Sequence, residues 1–168
     1  MGSSNLDSLT SPDSNLKNVV ESVEENGRKP GLNALSLSKD LLEVMQAEVS
    51  RLAPEEACGV IAGFREQGLA IAQMVIPTTN ILHSPRRYRM DPHEQLDAFN
   101  FIERECWELI AIYHSHPTGP SSPSVTDIND AYYPEVLYLI WSQETEEWDC
   151  RAYKILDQKA IELPVIIN

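Results

Sequence analysis

The chain is short of several things, and each shortage narrows its chemistry. Three cysteines in 168 residues, Cys58, Cys106 and Cys150, form no Cys-x-x-Cys pair and no even framework. A disulfide framework is therefore not expected, and the thiols are read as reduced packing groups, with a Cys58–Cys150 pair as the alternative. No apolar run approaches the ~20 residues that a membrane-spanning helix needs. The first residues are rich in Ser, Asn and Asp without a hydrophobic stretch, so no secretory leader is read and a cytoplasmic location is expected. Positive charge is scarce: 13 Lys and Arg face 26 Asp and Glu, a net charge of −13. A chain this acidic repels phosphate backbones, so no nucleic-acid partner is expected, and no membrane partner either. Residues 36–168 hold 21 acidic and 10 basic side chains, so the acidity belongs to the body of the chain.

Histidine is scarce too, four in all, but two of them are His114 and His116. They close an apolar run, Leu109 to Tyr113, that reads as a buried strand. Side chains two apart on a strand share a face, so both imidazoles can converge on one ion. Pro117, Gly119, Pro120 and Pro123 then enforce a loop. Ser124-Val125-Thr126-Asp127 reads as a helix start, with Ser124 as N-cap, and can return the Asp127 carboxylate to the histidines. Two imidazoles and a carboxylate are three ligands of the catalytic-zinc type, whose fourth position takes water. Capping alone would also account for Ser124 and Asp127, and the two readings are compatible. His83 and His93 have no ligand spacing and read as surface histidines. Ser115 falls on the other face of the strand and reads as support for it. Asp130 is three residues beyond Asp127, where a hydrogen bond to a ligand histidine is conceivable.

Around this stretch the elements follow from periodicity and punctuation. A helix capped by Ser38 repeats Leu41 or Leu42, Met45, Val49 and Leu52, and Pro54 stops it. Cys58–Phe64 and Leu69–Pro77 read as strands joined through the polar turn Arg65-Glu66-Gln67-Gly68. Tyr88-Arg89-Met90 reads as a short strand. Asp91-Pro92-His93-Glu94 starts a helix running to about Trp107, with Leu96, Phe99, Ile102 and Cys106 inward. After Glu108–His114 come a short helix through Tyr132 and strands at Val136–Trp141, Trp148–Ile155 and Lys159–Ile166. Short strands and helices interleave without strict repetition. The expectation is an α/β domain over residues 37–168, a mixed sheet flanked by helices in an α/β/α sandwich-like arrangement. Residues 1–36 read as a disordered N-terminal extension or an expression remnant, with a marginal helical spacing at Leu16, Val19, Val20 and Val23.

His114-Ser115-His116-Pro117, seven residues from His116 to Ser124 and two more to Asp127, resembles the JAMM (MPN+) zinc metalloprotease signature at every defined position. Upstream, Glu56-Ala57-Cys58-Gly59 is similar to the family's Glu-x-Cys-Gly. The resemblance implies an MPN-type fold, Zn²⁺ held by His114, His116 and Asp127, and Glu56 as general base. The residues by themselves do not choose between Glu55 and Glu56; the motif selects Glu56. It also implies that Ser124 stabilises the oxyanion, a role expected to alternate in time with capping. The compact chain, with few residues after Asp127, looks like the bacterial and archaeal members. That implies a peptidase or isopeptidase cutting the amide after the Gly-Gly tail of a ubiquitin-like sulfur-carrier protein, with release of a C-terminal amino acid such as cysteine as one outcome. In the family, the region next to the basic cluster Pro85-Arg86-Arg87-Tyr88-Arg89 helps hold such a tail. The oligomeric state is left open, a homodimer included. A metal-free MPN-type scaffold and a zinc hydrolase of short peptides or small amides are the alternatives. A nucleobase deaminase would need His-x-Glu with Pro-Cys-x-x-Cys, and a TIM-barrel amidohydrolase about 250 residues.

Overall fold

The computed structural model describes residues 31–168. The expected extension and the helical spacing within residues 1–30 lie outside the described residues. Eleven elements follow one another: β1 (Ala34–Leu37), α1 (Lys39–Leu52), β2 (Cys58–Glu66), β3 (Leu69–Thr78), α2 (Pro92–Arg104), β4 (Glu108–His116), α3 (Val125–Asn129), β5 (Leu137–Ser142), β6 (Asp149–Leu156), β7 (Lys159–Leu163) and β8 (Val165–Ile167). The eight strands form one sheet in the order β7-β6-β5-β4-β2-β3-β1-β8. β1 begins at Ala34, so residues 34–36 belong to the sheet rather than to the extension the sequence reading placed there.

The sheet is mixed because its connections differ in length. β2 and β3 are joined by two residues with positive φ, Gln67 (49°) and Gly68 (83°), the pattern of a tight hairpin. β4 and β5 run parallel, with the metal-type loop and α3 as their crossover. β4 lies between β2 and β5, and Ile110 through His116 are all buried, which is why this strand reads as one apolar run. On one face α1 packs Met45 and Val49 against Leu35, Tyr113, Leu139 and Trp141. On the other, α2 packs Ala98 and Ile102 against Val60, Ile112 and Ile140, with Ile128 of α3 at the margin. The layered α/β/α arrangement expected from the sequence is the one found. Among the described residues, no helix is long and apolar enough to cross a membrane. All three cysteines are unpaired.

Several local expectations are corrected. Tyr88–Met90 is not a strand: only Asn80 and Met90 form an isolated bridge, which ties down a loop. In α2 the inward face is Ala98 and Ile102, while Leu96 is 58% exposed, because alanine allows the helix to approach the sheet closely. Cys106 lies beyond the helix end at positive φ and is exposed. Asp91 caps α2, accepting from the His93 and Glu94 amides, but Glu94 does not reach back to Asp91. Its carboxylate accepts instead from the Thr79 amide and, at 2.9 Å, from the Thr79 hydroxyl. The last expected strand is split at Pro164, which has no N–H to continue a ladder. Beyond it β8 pairs with β1 at the far edge of the sheet.

Gly59 shows why the Glu-x-Cys-Gly segment ends as it does. A Cβ there would stand 2.5 Å from the Ile76 carbonyl oxygen and 2.5 Å from Cε1 of Tyr113. Gly59→Ala must push two buried groups apart and is expected to destabilise the fold by roughly 3 kcal/mol, measured as a lower urea midpoint with unchanged slope.

Candidate metal centre

β4 carries its pairing through His116, so both imidazoles leave the same face of a rigid, buried strand. Ser115 points the other way, as expected. Its backbone amide donates to the Ala57 carbonyl (3.0 Å), and its hydroxyl accepts from the Ala57 amide at 2.8 Å. This pins the end of β4 to the segment entering β2. Across the loop, Ser124 and Asp127 close a reciprocal capping box at the start of α3. The Ser124 Oγ accepts from the Asp127 amide (3.2 Å), and Asp127 Oδ2 accepts from the Ser124 amide at 2.6 Å. The cap therefore aims the carboxylate. Asp127 Oδ1 lies 3.3 Å from His114 Nε2, Oδ2 lies 3.3 Å from His116 Nε2, and the two Nε2 atoms are 3.0 Å apart.

The donor set fits zinc. His116 Nδ1 faces the Pro120 carbonyl at 2.7 Å. A carbonyl only accepts, so Nδ1 carries the hydrogen and Nε2 presents its lone pair to the centre. Separations of 3.0–3.3 Å match the edges of a tetrahedron with bonds of ~2.0–2.1 Å, which are about 3.3 Å long. His114 is wholly buried and its Nδ1 has no hydrogen-bond partner. Burial lowers its pKa despite Asp127, which favours the neutral, ligating form. For His116, burial pulls the pKa down, but Asp127 and the Pro120 carbonyl outweigh it and the net shift is upward. Burial would raise Asp127, yet the two histidines facing its oxygens hold it well below the usual carboxylate range.

Glu56 sits just before β2. Cys58 pairs with His114 in register, so continuing the ladder brings Glu56 opposite His116. It is only 4% exposed, and burial pushes its pKa to about 7, opposed by His116 and reinforced by Asp127. Glu55, the competitor on sequence alone, turns outward to His83 Nδ1 at 3.1 Å. The structure thus brings His114, His116 and Asp127 together, sets Glu56 beside them and leaves Ser124 at the helix start. Asp130 makes no bond to His114 or His116; it accepts from the Tyr132 hydroxyl at 3.2 Å. The cap occupies a lone pair of Ser124 Oγ, and the same side chain also hydrogen-bonds the Asp127 carboxylate.

Two features escaped the sequence. The Tyr88 ring stacks on His114 with centroids 4.5 Å apart at 23°, fixing the imidazole that has no Nδ1 partner. The Pro120 carbonyl orients the other one. Tyr88 stands 26 positions before His114 in a basic loop and carries no local signal of this contact; a backbone carbonyl carries none at all.

Comparison with known proteins adds the following. Residues 38–155 match the family described as prokaryotic homologs of the JAB domain. The chain is 36% identical over 139 residues to a CysO-cysteine peptidase of Mycobacterium tuberculosis, covering 82% of this chain and 94% of that one. It is 38% identical over 133 residues to a probable TtuB-protein conjugate cleaving protease of Thermus thermophilus, covering 79% and 83%. A solution structure of a Desulfitobacterium hafniense protein superposes with a TM-score of 0.73 at 32% identity, over 80% of this chain and 92% of that one.

Proposed function

We propose, for a chain that belongs to the prokaryotic homologues of the JAB domain, that it is a zinc-dependent peptidase hydrolysing the amide bond after the C-terminal Gly-Gly of a ubiquitin-like, sulfur-carrier type of protein. The observation that carries the reading is the convergence of His114, His116 and Asp127, with a buried carboxyl of raised pKa beside them. Relatives named CysO-cysteine peptidase and probable TtuB-protein conjugate cleaving protease support the substrate class.

His114, His116 and Asp127 would hold the ion. Bound zinc supplies Lewis acidity, lowering the pKa of water and polarising a carbonyl. Glu56 takes the proton of the attacking water on its carboxylate and passes it to the departing nitrogen. Burial raises the pKa of this carboxyl, which makes it a stronger base than an exposed glutamate in the same place. The O–H of Ser124, turned from the Asp127 carboxylate, donates to the oxygen that gains charge as the carbonyl is attacked, while the lone pair keeps α3 capped. Water adds to the glycine carbonyl carbon, the C–N bond breaks, and the amine leaves with the proton from Glu56. Beside this site runs a cleft of about 420 Å³ lined in part by Arg86, Arg87, Tyr88 and Asp127. It is suited to an extended tail, with the arginines facing its carbonyls or an acidic carrier.

The reading is tested by incubating a Gly-Gly-ended carrier bearing one extra C-terminal amino acid in H₂¹⁸O, with and without chelator. One ¹⁸O in the new terminal carboxylate is expected, and none after chelation. An uncut carrier, and uncut isopeptide conjugates of it, would refute the substrate class. Two variants refine the picture. Ser124→Ala should lower kcat roughly tenfold to a hundredfold with KM little moved, and cost about 1 kcal/mol of stability from the cap. Arg86→Glu/Arg87→Glu should raise KM roughly tenfold, the rate difference from wild type shrinking in high salt.

A further inference from the structure

The loop between β3 and α2 is held by one buried side chain, and the same side chain holds the residue entering β2. Asn80 is 5% exposed, and all four of its amide valences are used. Its Nδ2 donates to the Glu56 carbonyl at 3.0 Å and to the Arg87 carbonyl at 3.1 Å. Its Oδ1 accepts from the amides of Leu82 and Arg89, both at 3.1 Å. The Glu56 amide, in turn, donates to the Ser84 carbonyl of the same loop at 2.9 Å. Both backbone polar groups of Glu56 therefore end on this loop, not on a strand. The loop also carries Tyr88, whose ring lies against His114.

The geometry points to Asn80 as a positioning residue of the reaction: its side-chain amide fixes where Glu56 stands relative to the metal ligands and ties that placement to the Tyr88 loop. Glu56 precedes the first ladder pair of β2 and has no strand partner of its own to set its backbone. Asn80 supplies the missing constraint from the side. A misplacement of about 1 Å in a proton-transfer group costs up to a hundredfold in rate, so a clasp of this kind acts on kcat more than on binding. The inference rests on Glu56 as the base proposed above.

Asn80→Asp separates the two halves of the clasp. It keeps the acceptor for Leu82 and Arg89 and sets an oxygen against the carbonyls of Glu56 and Arg87. Expected are a kcat lower by roughly tenfold to a hundredfold, a KM little changed and full zinc stoichiometry. In the Glu56→Gln background the same substitution should cost nothing further, because its effect passes through Glu56. In the metal-free protein, hydrogen exchange at the Glu56 amide should quicken on the order of tenfold or more while the Arg89 amide stays protected. An unchanged kcat, losses that multiply in the double variant, or unchanged protection at Glu56 would each overturn the inference. If Glu56→Gln alone kept wild-type kcat, the base assignment would fail, and the exchange measurement would still decide the clasp. Should Asn80→Asp not fold, the wild-type protein decides: the two Asn80 side-chain amide protons are expected to exchange slowly, and exchange at the rate of a free asparagine overturns the clasp.

Discussion

Glu56→Gln is expected to reduce kcat by a factor on the order of 10²–10⁴ while making the metal-free protein more stable at pH 8. The two effects share one cause. The carboxyl is buried beside Asp127, and burial raises its pKa from 4.5 to about 7. The folded state therefore holds a proton that the unfolded chain releases between pH 4.5 and 7, and stability falls as pH rises through that window. Above pH 7 the cost is fully present, a shift worth roughly 3 kcal/mol. A neutral glutamine of the same shape escapes it. A bound cation reverses the balance by favouring the anion, so zinc should pull the Glu56 pKa down and shrink the glutamine's advantage. Thermal melts at pH 5.5 and 8, with and without zinc, read this directly: the variant gains at both, by about 2 kcal/mol more at pH 8 than at pH 5.5, and mainly without metal. Equal gains at both pH values would show that Glu56 is not held protonated by its surroundings.

His114→Ala should abolish stoichiometric zinc and, with it, activity by more than about a thousandfold, since removal of one of three protein ligands leaves no tetrahedral site. It also removes a wholly buried side chain from beneath Tyr88, which costs packing. Metal content and melting temperature separate these effects. Wild-type protein should gain stability with added zinc, about 2.7 kcal/mol at a hundredfold excess over Kd. The variant should gain none. Asp127→Asn tests the same centre from the helix side, because it can still cap α3 through its remaining oxygen while losing the charge.

Much of this centre was legible in the sequence because its parts are close along the chain. An apolar run ending in His-x-His fixes a strand and a shared face, four loop-forming residues fix a return, and Ser-x-x-Asp fixes a helix start. The layered fold was legible for the same reason: Met45 and Val49, like Ile102, recur at helical spacing, and the strands are bounded by turns. What escaped was set by tertiary contact. Leu96 and Ala98 are two residues apart, on nearly opposite faces of the helix, and only the sheet decides which goes inward. Tyr88 looked like a strand residue because its loop pairs through one bridge alone. Glu56 and Glu55 are indistinguishable neighbours until β2 pairs with β4 and turns one toward His116 and the other toward His83. The arrival of β8 at β1 depends on Pro164 and on an edge that no local pattern announces.

Extended X-ray absorption at the zinc edge of the metal-loaded protein tests the central claim most directly. The account predicts one zinc per chain with two imidazole nitrogens and two oxygens at ~2.0–2.1 Å, and one imidazole fewer in His114→Ala. A sulfur shell at ~2.3 Å, which would bring Cys58 into the coordination, or a spectrum without imidazole scattering would contradict it.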